Sequence, residues 1–393
     1  MATCAWIVRS SCWPNCERRR ADPVPRARLA TRARFHDEDK AFEMKRRSLL
    51  IAMLAVAGSA VSTMSASAGD LLYTLERTTA LPSTDTGFDY IKMQPGTSRL
   101  FMARLKDGLT VFDVESQAVV ATVENSAGAN GPLLLPEYNR GYVAMDDGSL
   151  LSLDLATLAP LQRMPLAKDG GLNSAIYDPY TRQIHAITGT RPEQSMWFTL
   201  DAATGKRLKT TVFPFRKMDD PASDGKGRLF APARKDGIVL VLDARTLKET
   251  ARWAVGCTVS KVRYQASTHR VLGACATDTP TFFALDADTG RIVSRLPIGY
   301  GLDGFAIDEV RHRIVTSNYD GTLTVIDQDG ADGFALRGTV STHMGARMMA
   351  MDERDGRLLV VNAAFTNTAP NAKGETTKTY HPDSFVVLTY APK

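Results

Sequence analysis

The chain has 393 residues, of which 44% are hydrophobic and 23% charged, a composition that excludes collagen-like and low-complexity proteins and supplies a large core. The net charge of +5 suggests a polyanionic partner, but residues 1–68 hold 12 of the 48 basic residues and only 6 of the 43 acidic ones. The remaining chain is nearly neutral, so nucleic acid is a possible partner that the net charge does not support.

Residues 44–68, MKRRSLLIAMLAVAGSAVSTMSASA, have the pattern of a secretory signal peptide. Lys45, Arg46 and Arg47 form a positive start, residues 49–61 form an apolar run too short to span a membrane comfortably, and residues 66–68 offer small side chains for cleavage. The pattern favours the general secretory route from a start at Met44, which predicts a periplasmic or secreted protein without a membrane span.

Residues 1–43 are rich in arginine and have neither helical nor strand periodicity. We interpret them as an over-extended translation or a disordered N-terminus. Three of the five cysteines fall in this stretch, which leaves Cys257 and Cys275. Two cysteines in an exported protein predict one disulfide, and a hairpin turn near residues 266–268 would place them opposite each other.

The rest of the chain, residues 69–393, is a repeat that we interpret as a single domain. An aspartate that ends an apolar segment recurs at intervals of 41 to 47 residues, at Asp113, Asp154, Asp201, Asp243, Asp286 and Asp327. Each unit contains four short strand patterns separated by turn residues, which is typical of one blade of a β-propeller. We therefore predict an all-β, seven-bladed propeller with four-stranded antiparallel blades, approximately at 88–126, 127–168, 169–214, 215–255, 256–299, 300–341 and 342–392.

The seventh unit reaches the end of the chain before a fourth strand. Segment 71–81, LLYTLERTTAL, precedes the first blade and has a strand pattern of its own. Because exposed sheet edges invite unwanted pairing, we predict that this N-terminal strand joins the last blade and closes the ring.

The units resemble the YVTN-repeat β-propellers, the YncE-like family of exported bacterial proteins. The matching text is GRLLVVN and HRIVTSN for the signature strand, with DGTLTVID and DGLTVFDV for the strand that follows. The resemblance implies a secreted or periplasmic propeller of WD40-like architecture. Some members are similar to proteins that bind nucleic acid or assist redox enzymes, but the repeat motif describes blades rather than an active site.

Two histidines lie where a propeller gathers its loops around the channel mouth. His343 precedes the first strand of blade seven, and His381, with Asp383 nearby, lies in a long insertion between that blade's second and third strands. Two histidines and a carboxylate suit zinc or iron, so a shared metal or catalytic site is one hypothesis and unconnected surface positions are the other. No catalytic residue and no cofactor are predicted.

The loops of the same face also carry cations, which would concentrate anionic ligands at the mouth. The candidate ligand-binding residues are Lys168, Arg191, Arg216, Lys217, Arg234, Tyr300, Asn318 and Tyr319, with Phe215 and Trp197 as nearby stacking groups. The alternative is that these are separate, solvated loop charges.

The sequence thus favours an exported monomer that binds a small anionic or polar ligand, or a periplasmic protein, without catalysis. A propeller hydrolase, lactonase or lyase with a site at the channel mouth is one alternative. An accessory subunit of a periplasmic redox system, of the quinoprotein or amine dehydrogenase kind, is another.

Overall fold

The computed structural model describes residues 72–218, 220–277, 279–371 and 376–393, and the expected signal peptide and the segment before it lie outside this part. The described residues form seven four-stranded antiparallel sheets and one two-stranded sheet. The seven large sheets are the blades of a β-propeller, which confirms the predicted fold class.

The strands follow one another in chain order, so that in blades 1 to 6 each strand pairs with the next. The first strand of the described part is β1 (Tyr73–Leu81), and blade 1 contains β2 (Ile91–Met93), β3 (Arg99–Ala103), β4 (Leu109–Asp113) and β5 (Ala118–Thr122). Blade 2 contains β6 (Ala129–Leu135), β7 (Arg140–Met145), β8 (Ser149–Asp154) and β9 (Pro160–Pro165). Blade 3 contains β10 (Leu172–Asp178), β11 (Gln183–Thr188), β12 (Ser195–Asp201) and β13 (Arg207–Phe213). Blade 4 contains β14 (Ala222–Ser223), β15 (Arg228–Ala233), β16 (Ile238–Asp243) and β17 (Glu249–Ala254).

The remaining blades complete the ring. Blade 5 contains β18 (Val259–Gln265), β19 (Arg270–Cys275), β20 (Thr281–Asp286) and β21 (Ile292–Pro297). Blade 6 contains β22 (Gly304–Asp308), β23 (Arg313–Asn318), β24 (Thr322–Asp329) and β25 (Gly333–Ser341). Blade 7 contains β26 (Met348–Asp352), β27 (Arg357–Asn362) and β30 (Phe385–Pro392), and a hairpin of β28 (Phe365–Asn367) and β29 (Lys378–Tyr380) is inserted between β27 and β30. Two short 3₁₀ turns lie at Pro136–Tyr138 and Arg234–Asp236.

Blade 7 takes its outermost strand from the other end of the chain. β1 pairs antiparallel with β30, from Tyr73 opposite Pro392 to Leu81 opposite Phe385. This pairing covers the edge of β30 and confirms the predicted ring closure.

Turn chemistry explains the repeated aspartates at the end of each third strand. The carboxylate of Asp201 accepts hydrogen bonds from the backbone N–H and the hydroxyl of Thr204, and Asp243 does the same with Thr246. Such bonds satisfy backbone donors that would otherwise be unpaired in the turn before the fourth strand. The aspartate is therefore an architectural residue.

The hydrophobic core lies between neighbouring blades rather than within one of them. In one cluster, Phe88 and Ile91 of the first unit pack with Met348 and Phe385 of blade 7. Each blade therefore depends on its neighbours for burial of its apolar faces, as in other repeat proteins.

The predicted disulfide is present, since Cys257 and Cys275 are bonded with their Cα atoms 5.9 Å apart. It links the segment before β18 to the end of β19, the neighbouring strand of blade 5. Within the described residues there is no helix that is long and apolar enough to cross a membrane.

Candidate functional site

The innermost strands of a propeller surround a central channel, and here some of them line an open cavity of about 290 Å³. Its walls come from four blades, through β2, β18, β22 and β26 and the loops at their ends. Charged residues line the cavity along the whole length of these strands, from just before β22 to just after β26. The charged residues that line the cavity are Lys92, Lys261, Arg263, Asp303, Asp352, Glu353 and Arg354.

Lys261 is the centre of a buried ion-pair network. Its ammonium lies 2.9 Å from the carboxylate of Asp220, in the loop before β14, and 3.1 Å from that of Asp303, just before β22. The same ammonium lies 4.0 Å from the centre of the Tyr90 ring. Only 1% of the Lys261 side chain is exposed, so these contacts replace the solvation that the charge has lost.

Two arginines extend the network to either side. Arg263 approaches Asp220 at 3.0 Å, and Arg347, at the start of blade 7, approaches Asp303 at 2.8 Å. Although burial opposes ionisation, Arg263 and Lys261 hold the pKa of Asp220 below its usual range. Lys261 and Arg347 do the same for Asp303. Both carboxylates are therefore ionised at neutral pH.

Asp89, two residues before β2, behaves differently. Burial, reinforced by the negative charge of Asp303, raises its pKa to about 7, while Arg347 and Lys261 act against this shift. A carboxyl group with a pKa near neutral pH, next to the cavity-lining Tyr90, is typical of functional sites.

Lys92, in the middle of β2, is a cation of the cavity that Asp220 attracts without a direct ion pair. Its side chain is exposed to the channel, but protein surrounds the channel on its sides. The resulting desolvation, followed by the charge of Arg263, lowers the pKa of Lys92 to about 8. Across the described part of the chain, the structure gives the Lys92 ammonium no hydrogen bond or ion pair. At neutral pH this group is a charged donor directed into the channel.

The part of the cluster around Lys261 carries an excess of positive charge, whereas Asp352, Glu353 and Arg354 at the other end of the cavity carry one more negative than positive charge. Lys92, Lys261, Arg263 and Arg347 face two ionised carboxylates, Asp220 and Asp303, and the partly protonated Asp89. Lys217 and Arg234 add positive potential, because they lower the pKa values of Asp89 and Asp303 respectively. The arrangement is suited to binding an anion.

The β28–β29 hairpin adds an aromatic patch beside Arg347. The Lys378 ammonium lies 4.1 Å from the centre of the Tyr319 ring and 4.6 Å from that of Phe365, and the Tyr380 ring packs at 5.9 Å from Phe365. Burial, together with the charge of Arg347, lowers the pKa of Lys378 to about 8. The predicted insertion is thus an ordered element over residues 365–367 and 378–380, held by cation–π and aromatic contacts.

The residues expected at the mouth have several different placements. Arg191 is buried and donates hydrogen bonds to the carbonyl oxygens of Gly170 and Gly171, so it stabilises the loop before β10. Asn318 is fully buried, with its amide nitrogen bonded to the hydroxyls of Thr322 and Thr324. Both side chains are engaged in structural contacts.

Other expected residues are accessible or partly so. Lys168, Arg216 and Tyr300 are exposed, whereas Lys217, Arg234 and Tyr319 are half-buried. Trp197 and Phe215 lie in the hydrophobic core and are not accessible stacking groups, because β12 directs Trp197 between blades against Phe213.

The histidines expected to share a metal are both exposed. The His381 ring pairs with the hydroxyl of Thr366 at 2.8 Å, and Asp383 accepts the backbone N–H of Ser83. Among residues 72–218, 220–277, 279–371 and 376–393, no three His, Cys, Asp or Glu side chains form a metal-binding group. A site shared by His343 and His381 stays a prediction.

Sequence reasoning missed Asp89, Lys92, Asp220, Lys261 and Asp303, all of them in or just before a first strand. A signal was available, since the segments IKM and VSKVRYQ place lysines and an arginine in strands that should line the ring axis. The predicted site included residues of the loops at the mouth and left out the first strands, which line the channel.

No family model and no curated protein matches the sequence. Solved structures do match the fold: a chain of a mitotic checkpoint complex superposes with a TM-score of 0.62 and 13% identity, over 85% of this chain and 99% of that one. A chain of hydrazine synthase from Kuenenia stuttgartiensis superposes with a TM-score of 0.59 and 14% identity, over 76% and 97% of the two chains. At these identities the likeness shows the β-propeller fold alone.

Proposed function

We propose that this chain is an exported β-propeller of the YVTN-repeat type that binds a small anionic ligand in its central channel. The observation that carries the proposal is Lys92, an ammonium that has no hydrogen bond or ion pair within the described residues, in a cavity that Lys261 and Arg263 also line. An anion beside Lys92 would add to the attraction of Asp220 and offset the desolvation that disfavours this charge.

The dimensions of the cavity support a small ligand. Pockets for drug-sized molecules span about 300–1,000 Å³, and this cavity, at about 290 Å³, lies at the lower limit. A nucleic acid strand would need an extended basic groove instead.

The export part of the proposal is supported by two features. The sequence of residues 44–68 has the pattern of a signal peptide, and the Cys257–Cys275 disulfide is the kind of bond that persists in an oxidising compartment. Recovery of the protein from a periplasmic fraction, with a new N-terminus near residue 69, would test it.

Binding is tested by isothermal titration of the purified protein with sulfate, phosphate and acetate at pH 6.5 and constant ionic strength. We expect saturable binding of at least one of these anions and a loss of at least about tenfold in affinity for Lys92→Met, as for removal of one charged hydrogen-bonding partner. Lys106→Met is the matched control, because Lys106 pairs with Asp85 on the surface at 2.6 Å. Absence of binding, or equal binding by the Lys92 variant, would refute the proposal.

An enzyme of the hydrolase, lactonase or lyase kind is a second candidate, favoured by Asp89. A general base works best with a pKa near the operating pH, and that of Asp89 is raised to about 7. Hydrolysis of a panel of lactones and esters, with a rate that rises with an apparent pKa near 7 and disappears in Asp89→Asn, would support this candidate. The accessory role in a redox system has no structural observation in its favour.

A further inference from the structure

We infer that the ligand of the channel is a monocarboxylate with a short apolar body. This inference rests on the proposed function and names the class of anion that the same cavity would take. It follows from the positions of charged and apolar residues along the walls of the cavity.

Apolar side chains line the cavity next to its charged residues. Met93 directly follows Lys92 on β2, and Ile307, Ala350 and Met351 come from the later parts of β22 and β26. All four pack against core clusters but are only half-buried, so part of their apolar surface is available to a ligand in the channel. A ligand with a negative charge and an apolar body could pair with Lys92 and pack against these side chains at the same time.

Methionine suits such a wall. Its side chain is unbranched, flexible and polarisable, and it adapts to apolar groups of different shape. Met93 and Met351 both line the cavity, from blades 1 and 7, which are neighbours in the ring. An inorganic anion would make no use of this surface and would leave it in contact with water.

The charge balance favours one negative charge on the ligand rather than two. Lys261, Arg263 and Arg347 are already paired with Asp220 and Asp303, and Arg354 is paired with Asp352 and Glu115. Among the described residues that line the cavity, this leaves Lys92 as the cation without a direct ion pair. Asp89 lies close enough to the same cations to interact with them, and above pH 7 it adds a negative charge. A carboxylate matches the single charge of Lys92, whereas sulfate brings a second charge and a larger cost of desolvation.

The test is isothermal titration of the purified protein at pH 6.5 with acetate, hexanoate, 1-hexanol and sulfate. Burial of each additional methylene strengthens binding by about fourfold when it is complete, so hexanoate should bind at least about tenfold more tightly than acetate. Hexanol, which lacks the charge, and sulfate, which lacks the apolar body, should both bind more weakly than hexanoate.

Two variants separate the charged and apolar contributions. Lys92→Met should weaken hexanoate at least about tenfold, and Lys106→Met should leave it unchanged. Met351→Gln, which keeps the length of the side chain, should weaken hexanoate by about threefold or more and leave acetate unchanged. Circular dichroism and the melting temperature show whether each variant is folded.

The outcomes distinguish this inference from the proposal on which it rests. If acetate or sulfate binds through Lys92 and hexanoate binds no more tightly than acetate, the apolar part of the inference is wrong and anion binding stands. If hexanol binds as well as hexanoate, the carboxylate plays no part. If none of the anions binds, both proposals fail.

Discussion

The Lys261 ammonium and the Asp220 carboxylate lie 2.9 Å apart, with 1% and 11% of their side chains exposed. The pair joins β18 of blade 5 to the loop that enters β14 of blade 4, so it connects neighbouring blades near the ring axis. Removal of Lys261 leaves the buried Asp220 with Arg263 and the buried Asp303 with Arg347, each without one of its two ion-pair partners.

We expect Lys261→Met to lower the free energy of unfolding by about 3–5 kcal/mol, the usual cost of breaking a buried ion pair from one side. Urea denaturation followed by circular dichroism measures it. Arg252→Met is the control, because it breaks an exposed pair with Glu249 at 2.7 Å and should cost at most about 1 kcal/mol. Equal effects of the two substitutions would show that the Lys261 pair has no special structural importance.

Asp89 should make the stability of the protein depend on pH between about 4 and 7. Its folded pKa of about 7 exceeds the value near 3.9 of an unfolded aspartate, so the folded state holds the proton more strongly. The contribution of this group to stability is greatest at low pH and falls as pH rises through 7.

Asp89→Asn removes this dependence. Relative to the unmodified protein, the variant should gain stability as pH increases from 4.5 to 7.5, by at least about 1 kcal/mol, since one unit of pKa corresponds to about 1.4 kcal/mol. Urea unfolding at both pH values gives the difference. A difference that stays constant with pH would show that Asp89 ionises normally.

The fold was predictable because each blade repeats the same local signals. The spacing of Asp113, Asp154 and the later aspartates indicated the length of the repeat, and the turns that these residues stabilise recur in the structure. The closing strand was predictable from an unpaired strand pattern at residues 71–81. Local chemistry determines these features, so they can be inferred from short segments.

The channel site was not predictable in the same way, because it depends on contacts between blades. Lys92 and Arg263 come from blades 1 and 5, and 170 positions separate them in the sequence. The direction of a side chain also determines whether it can contact a ligand. Asn318 and Arg191 carry polar groups of the expected kind, but both form hydrogen bonds within the fold instead. Repeat spacing assigns residues to a face without giving these directions.

The Cys257–Cys275 disulfide closes a segment with a sequence separation of 18 residues. A loop of about this length restricts the unfolded chain enough to contribute roughly 3 kcal/mol. The double variant Cys257→Ser, Cys275→Ser should therefore melt several degrees below the unmodified protein in calorimetry, with the same circular dichroism spectrum at 20 °C. An unchanged melting temperature would mean that the hairpin of β18 and β19 is held entirely by its core contacts.

Ring closure by β1 gives the strongest test of the architecture. A chain that begins at residue 82 lacks β1 and loses Leu72, Tyr73 and Leu81 from the core, and it exposes the edge of β30. We expect this chain to aggregate or to unfold without cooperativity, whereas a chain that begins at residue 69 should unfold cooperatively. Size-exclusion chromatography and thermal denaturation compare the two. A synthetic peptide of residues 72–81 should restore cooperative unfolding to the shorter chain, because a free strand can add to an open sheet edge. If the chain from residue 82 is monomeric and as stable as the longer one, the pairing of β1 with β30 contributes nothing to closure of the ring.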